Sequence, residues 1–171
     1  MSALQKKVCM LGAFAVGKTS LVAQFVHRKF SDRYLTTLGV KVDKRTVAID
    51  GRELNLILWD LAGEDDLSTV RSSYLRGLHG CIVVIDGTRG RTLEVARDIR
   101  ARVASEQGAS TPMVFVVNKL DLAAEWEIEE AALTALEAEG VAVVRASAKT
   151  GEGVAEAFAI LARGLLESSE R

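Results

Sequence analysis

Four short stretches of this chain combine residue types that phosphate and purine chemistry require. The longest is Gly12-Ala13-Phe14-Ala15-Val16-Gly17-Lys18-Thr19, with Ser20 directly beyond it. Its glycines let a loop curl until successive backbone N–H groups point inward at a polyphosphate, and a helix starting where the loop ends adds its positive terminus. Lys18 supplies a point charge for the outer phosphates, and the Thr19 hydroxyl is a ligand for Mg²⁺. The same letters also fit a plain strand-to-helix turn with a surface lysine. The flanks decide against that: the apolar run Val8-Cys9-Met10-Leu11 precedes the loop, and Leu21, Val22, Phe25 and Val26 follow it at helical spacing.

Asp60-Leu61-Ala62-Gly63 offers a carboxylate that can hold the metal through a water, and a flexible glycine whose N–H can reach a terminal phosphate. Alone it reads equally well as a turn; its position after the phosphate loop gives it a chemical meaning. Asn118-Lys119-Leu120-Asp121 ends in a carboxylate that can accept hydrogen bonds from both the N1–H and the amino group of guanine, a donor pair that adenine lacks. Leaving a buried acceptor unpaired costs about 1–3 kcal/mol, and more for a charge, so this stretch selects guanine. Ser147-Ala148-Lys149 is in position for a backbone N–H to meet the guanine carbonyl oxygen, although a serine at a helix start would look the same.

These stretches need a scaffold that brings their loops to one rim. The spacing predicts a helix over 17–27 and a break over 28–37. The run 40–49 partly alternates, as a half-exposed strand does, and 54–59 is a second strand; Asp50-Gly51 between them is a two-residue hairpin signal, so the pair is antiparallel. Runs 81–85 and 113–117 are almost wholly apolar, the pattern of strands covered on both faces. Between them Ala96, Ile99 and Val103 recur at helical spacing up to Gly108. Ile128, Ala132 and Leu136 mark a further helix stopped by Gly140, 141–144 is a last strand, and Val154, Phe158, Leu161 and Leu165 mark a closing helix. The sole proline, Pro112, takes a strand's first position. The fold class is therefore α/β, an open and mostly parallel sheet with one antiparallel edge strand and helices on both faces. Ligands bind such sheets at the carboxyl ends of the strands, and each chemical stretch falls just after one.

A length of 171 residues, 49% of them hydrophobic, and a mean hydropathy of +0.16 predict one domain spanning 1–171. A formal charge of −1 gives no whole-surface attraction to nucleic acid or anionic lipid, so no nucleic-acid partner is expected. Neither end carries a signal-peptide run, a glycine at position 2, a prenylation cysteine or a polybasic stretch, so no direct membrane anchor is expected. Cys9 and Cys81 sit inside apolar strands as small hydrophobes, which implies a reducing, cytoplasmic location.

Taken together and in order, the four stretches closely resemble those of the Ras superfamily of small GTPases over essentially the whole chain. Through Thr36-Thr37-Leu38-Gly39-Val40 the chain is most similar to Rab-type members. The resemblance implies a P-loop three-layer sandwich with a six-stranded sheet and five helices, bound GTP or GDP with Mg²⁺, and two nucleotide-sensitive segments. It implies that Thr37 closes on Mg²⁺ and the γ-phosphate, that Phe30 packs against the guanine face, that Tyr34 covers the phosphates, and that the second switch runs from Gly63 to about Tyr74. Thr19 and Thr37 would touch the metal directly and Asp60 indirectly, while Lys18, Thr37, Gly63 and Glu64 would surround the reacting phosphate.

The chain departs from the family at two of these positions. Glu64 stands where most members have the glutamine that orients the attacking water. A carboxylate accepts a hydrogen bond from that water but donates none to the γ-phosphate, so hydrolysis is impaired or, with a raised pKa, Glu64 is a base. Phe14 replaces a residue that is usually small, and its ring should hinder an arginine inserted by a partner. Ala15 is a milder change. Arg33, Arg71 and Arg76 are candidates for an arginine supplied in cis, with solvated surface arginine the default. Trp59 is expected beneath partner-facing surface, Trp126 in local packing, and His27 and His79 lack metal-ligand spacing.

The expected function is a monomeric, nucleotide-dependent switch that hydrolyses GTP slowly and is read by effectors, exchange factors or activators. A GTP-dependent scaffold with negligible turnover is the alternative. An ATP-using phosphotransferase is disfavoured by Asp121 and by the lack of an acceptor-substrate domain.

Overall fold

A computed structural model of the chain describes residues 3–31, 39–61 and 72–171. Six strands, β1 (Leu4–Gly12), β2 (Val40–Ile49), β3 (Arg52–Leu61), β4 (Gly80–Asp86), β5 (Met113–Asn118) and β6 (Ala142–Arg145), form one sheet in the order β2-β3-β1-β4-β5-β6. Every neighbouring pair is parallel except β2 with β3. The hairpin between these two turns through Asp50 (φ 51°) and Gly51 (φ 78°), with Ile49 opposite Arg52. Positive φ at both turn residues defines the tight turn whose twist matches that of the flanking strands.

Helices α1 (Lys18–His27) and α5 (Val154–Ser169) cover one face, and α3 (Arg91–Gln107) and α4 (Glu130–Ala138) cover the other, joined by α2 (Ser72–Leu75) and a 3-10 turn (Leu120–Glu125). The period-two alternation of the strands divides the core accordingly. Val8, Met10, Ile82, Val84, Val114 and Val116 face α1 and α5, where the rings of Phe25 and Phe158 stack with centroids 3.8 Å apart. Cys9, Cys81, Val83, Ile85, Phe115 and Val117 face α3 and α4. Strands β1 and β4 are thus covered on both faces at their centres, as their apolar runs predict, whereas the edge strand β2 exposes every second residue over most of its length.

Several boundaries differ from the sequence reading: α1 starts one residue later, β3 and β4 are longer at both ends, β5 is one residue longer, and three further shifts concern α4, β6 and Pro112. Helix α4 starts at Glu130, because the N–H of Ile128 turns back to the carbonyl of Gly87 (3.3 Å) and leaves Ile128 buried ahead of the helix. The last strand is displaced by one residue, to Ala142–Arg145. Pro112 stands just before β5, its carbonyl accepting the Cys81 N–H at 3.1 Å.

From β1 the chain passes to the edge strand β2, returns through β3 beside β1, and then crosses to β4 on the other side of β1. The carboxyl ends of β1 and β4 therefore border the point where the winding reverses, which is where open α/β sheets bind ligands. Gly12, Asp60, Asp86 and Asn118 all lie at strand ends on this rim.

Candidate functional site

The loop from Gly12 to α1 is pinned where only glycine fits. A Cβ on Gly12 (φ 147°) would lie 2.5 Å from the Val84 carbonyl oxygen, and one on Gly17 (φ 104°) 2.3 Å from Asn118 Nδ2. Lys18, only 6% exposed, folds back across the loop, its Nζ donating to the carbonyls of Gly12 (3.1 Å) and Ala13 (3.0 Å). An ammonium held over a curl of backbone amides is an anion site. Ser20 follows on the first turn of α1, and the side chain of Phe14 is 40% exposed at the loop's crest.

At the start of α1 the Thr19 hydroxyl donates to Asp60 Oδ2 at 2.6 Å, and Asp60 is fully buried at the end of β3. Two oxygen ligands of this kind, converging beside an anion site, are the donor set that a small hard cation such as Mg²⁺ selects.

Asn118, 3% exposed, ties three loops together. Its Nδ2 donates to the Val16 carbonyl (3.0 Å), and its Oδ1 accepts the Ala148 N–H (3.1 Å). The Ser147 hydroxyl donates to Asp121 Oδ1 (2.7 Å) and accepts the Thr150 N–H (3.1 Å), so it braces a turn ahead of α5 rather than starting a helix. Gln24 on α1 supports the same turn through the Ala148 carbonyl (2.8 Å). Lys149 is exposed beside it, as is Phe30 beyond α1.

Sequence reasoning missed two supports of the loop over 118–121. Lys119 adopts a left-handed backbone (φ 73°), and its Nζ lies 2.8 Å from Asp86 Oδ2, a carboxylate buried at the end of β4. Burial acts to raise the carboxyl pKa of Asp86, but hydrogen bonds from Lys119 and Thr88 outweigh it and hold the group below its ordinary value. Trp126 donates its indole N–H to the Lys119 carbonyl (2.8 Å) and lies so close to Gly87 that a Cβ there would come within 2.2 Å of the ring. It buttresses the Lys119 loop as well as filling space, which its sequence position alone did not signal.

Of the other sequence-predicted residues, Tyr34, Thr37, Gly63 and Glu64, with Arg33 and Arg71, fall outside the described residues. Arg76 is exposed, its carbonyl accepting the Lys7 ammonium at 2.9 Å. Trp59 is covered by that same ammonium, 4.0 Å from the ring centroid.

A mostly parallel sheet covered on both faces, with a Gly-x-x-x-x-Gly-Lys-Thr loop, a Thr19–Asp60 pair and an Asn-x-x-Asp stretch on one rim, is the combination of P-loop guanine-nucleotide-binding proteins. The match is specific: the model of the Ras family fits residues 7–167, and the chain belongs to that family. It is 31% identical over 164 residues to "Ras-related protein Rab-13" of Canis lupus familiaris, with 95% of this chain and 81% of that protein covered. It is 33% identical over 165 residues to "Ras-related protein Rab-7b" of Mus musculus (94% and 82% covered), and 31% identical over 163 residues to "GTP-binding protein YPTM1" of Zea mays (95% and 78% covered). The chain is a Rab-like small GTPase that uses GTP or GDP with Mg²⁺, acts as a nucleotide-dependent switch, and works through effector, exchange and activating proteins of the kinds its family uses. Among the described residues no helix is long and apolar enough to cross a membrane.

Proposed function

We propose that residues 1–171 act as one nucleotide-binding domain in which the amides of Ala13, Phe14, Ala15, Val16 and Gly17, with Lys18, hold the phosphates. Thr19 and Thr37 would ligate Mg²⁺ directly and Asp60 through water; the metal, when bound, neutralises charge on the β- and γ-phosphates. Asp121 reads the N1–H and amino group of guanine, Asn118 fixes the loops around it, Ser147 orients Asp121, and a backbone N–H of the 147–149 stretch meets the base carbonyl. Phe30 and Lys119 flank the base and Tyr34 covers the phosphates. The observation that carries this reading is the pair of bonds made by one buried amide: Asn118 links the phosphate loop at Val16 to the 147–149 turn.

Thr37 and Gly63 are the residues that would sense the γ-phosphate, so its loss would release both segments. Glu64 and Phe14 make hydrolysis slow and hinder an inserted arginine. The protein works as a cytoplasmic monomer. Amide hydrogen exchange on the GDP form and on a form loaded with a non-hydrolysable GTP analogue tests the switch. Differences concentrated in peptides covering Thr37 and residues 63–74 are expected; identical exchange there would overturn it.

A further inference from the structure

Arg89 follows β4 in a stretch that none of the four motifs contains. Its backbone is fixed from several sides: the Arg89 N–H donates to the Asp86 carbonyl (3.0 Å), and its own carbonyl accepts the hydroxyl of Thr92 (2.7 Å), which is buried. From this base the guanidinium crosses the point where the sheet's winding reverses. Its Nε lies 3.5 Å from Asp86 Oδ2 and its Nη2 donates to the carbonyl of Phe14 at 2.5 Å. Asp86 therefore serves two cations, Arg89 toward the phosphate loop and Lys119 toward the base loop.

The Phe14 carbonyl belongs to the same planar peptide unit as the Ala15 N–H, and in a trans unit the two point in opposite directions. Holding that carbonyl outward holds the Ala15 N–H inward, toward the hollow of the loop. The orientation needs holding, because Ala15 sits at φ 62°, a left-handed conformation that alanine resists and glycine does not. An arginine can hold it, because its fork reaches a carboxylate with one nitrogen and a carbonyl with another, and it stays charged at every working pH.

We propose that Arg89 is a positioning residue that, anchored on Asp86, sets the Phe14–Ala15 peptide so that the Ala15 amide faces the nucleotide phosphates, and so slows nucleotide release. This rests on the phosphate-loop function proposed for residues 12–19 and adds a control on how long that site keeps its ligand. The arginine acts through the loop backbone and leaves base reading to Asp121.

The test compares wild type, R89M and R89K, each loaded with a fluorescent GDP and Mg²⁺. R89M keeps the aliphatic stem but no donor, and is expected to release GDP about tenfold faster or more, the scale for losing one hydrogen bond from a charged donor. R89K keeps the charge on a single nitrogen, without the second one that arginine uses, and falls between. The ratio of affinities for GDP and inosine diphosphate stays within about twofold of wild type, because the Asp121 contacts are untouched. Phosphorus NMR of bound GDP shows the β-phosphate resonance displaced in R89M, a change that general loosening of the fold would not confine to one phosphate. GDP release from R89M within about twofold of wild type, or an unmoved β-phosphate signal, overturns the proposal while leaving the nucleotide site standing. A wild-type chain that holds no GDP overturns the underlying reading and the clamp with it.

Discussion

Thr19 and Asp60 are 41 positions apart in the chain, and the hydroxyl of one donates to the carboxylate of the other at 2.6 Å. The contact joins the first turn of α1 to the end of β3, so the oxygen ligands proposed for the metal are brought together by the parallel pairing of β1 with β3, in which Met10 stands opposite Asp60. The site is therefore a property of the sheet register.

Thr19→Ala removes the ligand while leaving Asp60 buried. Metal affinity should fall by about 10–100-fold, and nucleotide release should lose its sensitivity to a chelator. Release rates with and without chelator check this; a variant that still responds to chelator as wild type does contradicts the assignment of Thr19.

Asp121→Asn replaces an acceptor pair by an amide that donates on one side. Affinity for GDP should drop by about 10³-fold or more, while xanthosine diphosphate, which presents a carbonyl where guanine has its amino group, gains affinity. Competition binding with the two diphosphates measures the reversal. An unchanged preference for GDP would remove Asp121 from the base site.

Glu64 and Phe14 predict slow hydrolysis. Single-turnover cleavage of bound GTP should run below about 10⁻³ s⁻¹ without a partner, and Glu64→Gln, which restores a group able to donate as well as accept, should raise it. A partner-free rate of about 1 s⁻¹ or more would contradict this reading. So would a Phe14→Gly variant whose partner-stimulated rate equals that of the parent.

Cys9 and Cys81 stand opposite each other on β1 and β4 in the core. Burial pushes the Cys9 thiol up to about 11 and raises Cys81 further. Neither forms thiolate at neutral pH, so a thiol reagent at pH 8 should label neither in the native protein and both after denaturation. Rapid labelling of the native protein would contradict this packing.

The Nδ1 of His79 accepts the Lys7 N–H at 2.8 Å, which requires a neutral ring. Burial first, and then the charges of Lys6 and Lys7, hold its pKa below the ordinary 6.5. Below that value the unfolded chain binds more protons, so the stabilisation is complete above about pH 6.5 and is lost as pH falls through the folded-state pKa. Thermal unfolding between pH 7.5 and 5.5 should show a smaller decline for His79→Asn, which keeps an acceptor and does not titrate. Equal declines would mean that His79 is not the group involved.

The phosphate loop and the Asn118 stretch were legible because glycine spacing and a fixed run of polar residues act locally, where sequence order is spatial order. The sheet was legible because alternation in β2 and its absence in β1 and β4 report coverage directly. What escaped depends on closure of the fold: Gln24 meets Ala148 across 124 positions, and Arg89 meets Phe14 across 75. Neither residue sits in a periodic or motif context that marks it. Arg76, a candidate for an arginine supplied in cis, has its backbone carbonyl bonded by the ammonium of Lys7 on β1, a contact its sequence context did not mark. The assignments of Tyr34, Thr37, Gly63 and Glu64 come from family resemblance, since these residues lie outside the described segments.

Guanine nucleotides must be the ligands held at this rim if the four loops act together. Equilibrium binding of the purified chain with Mg²⁺ to GDP, GTP, ADP and ATP tests that most directly. A preference of about 10⁴-fold for the guanosine nucleotides is predicted, set by the carboxylate of Asp121. Comparable affinities for guanosine and adenosine nucleotides would contradict it.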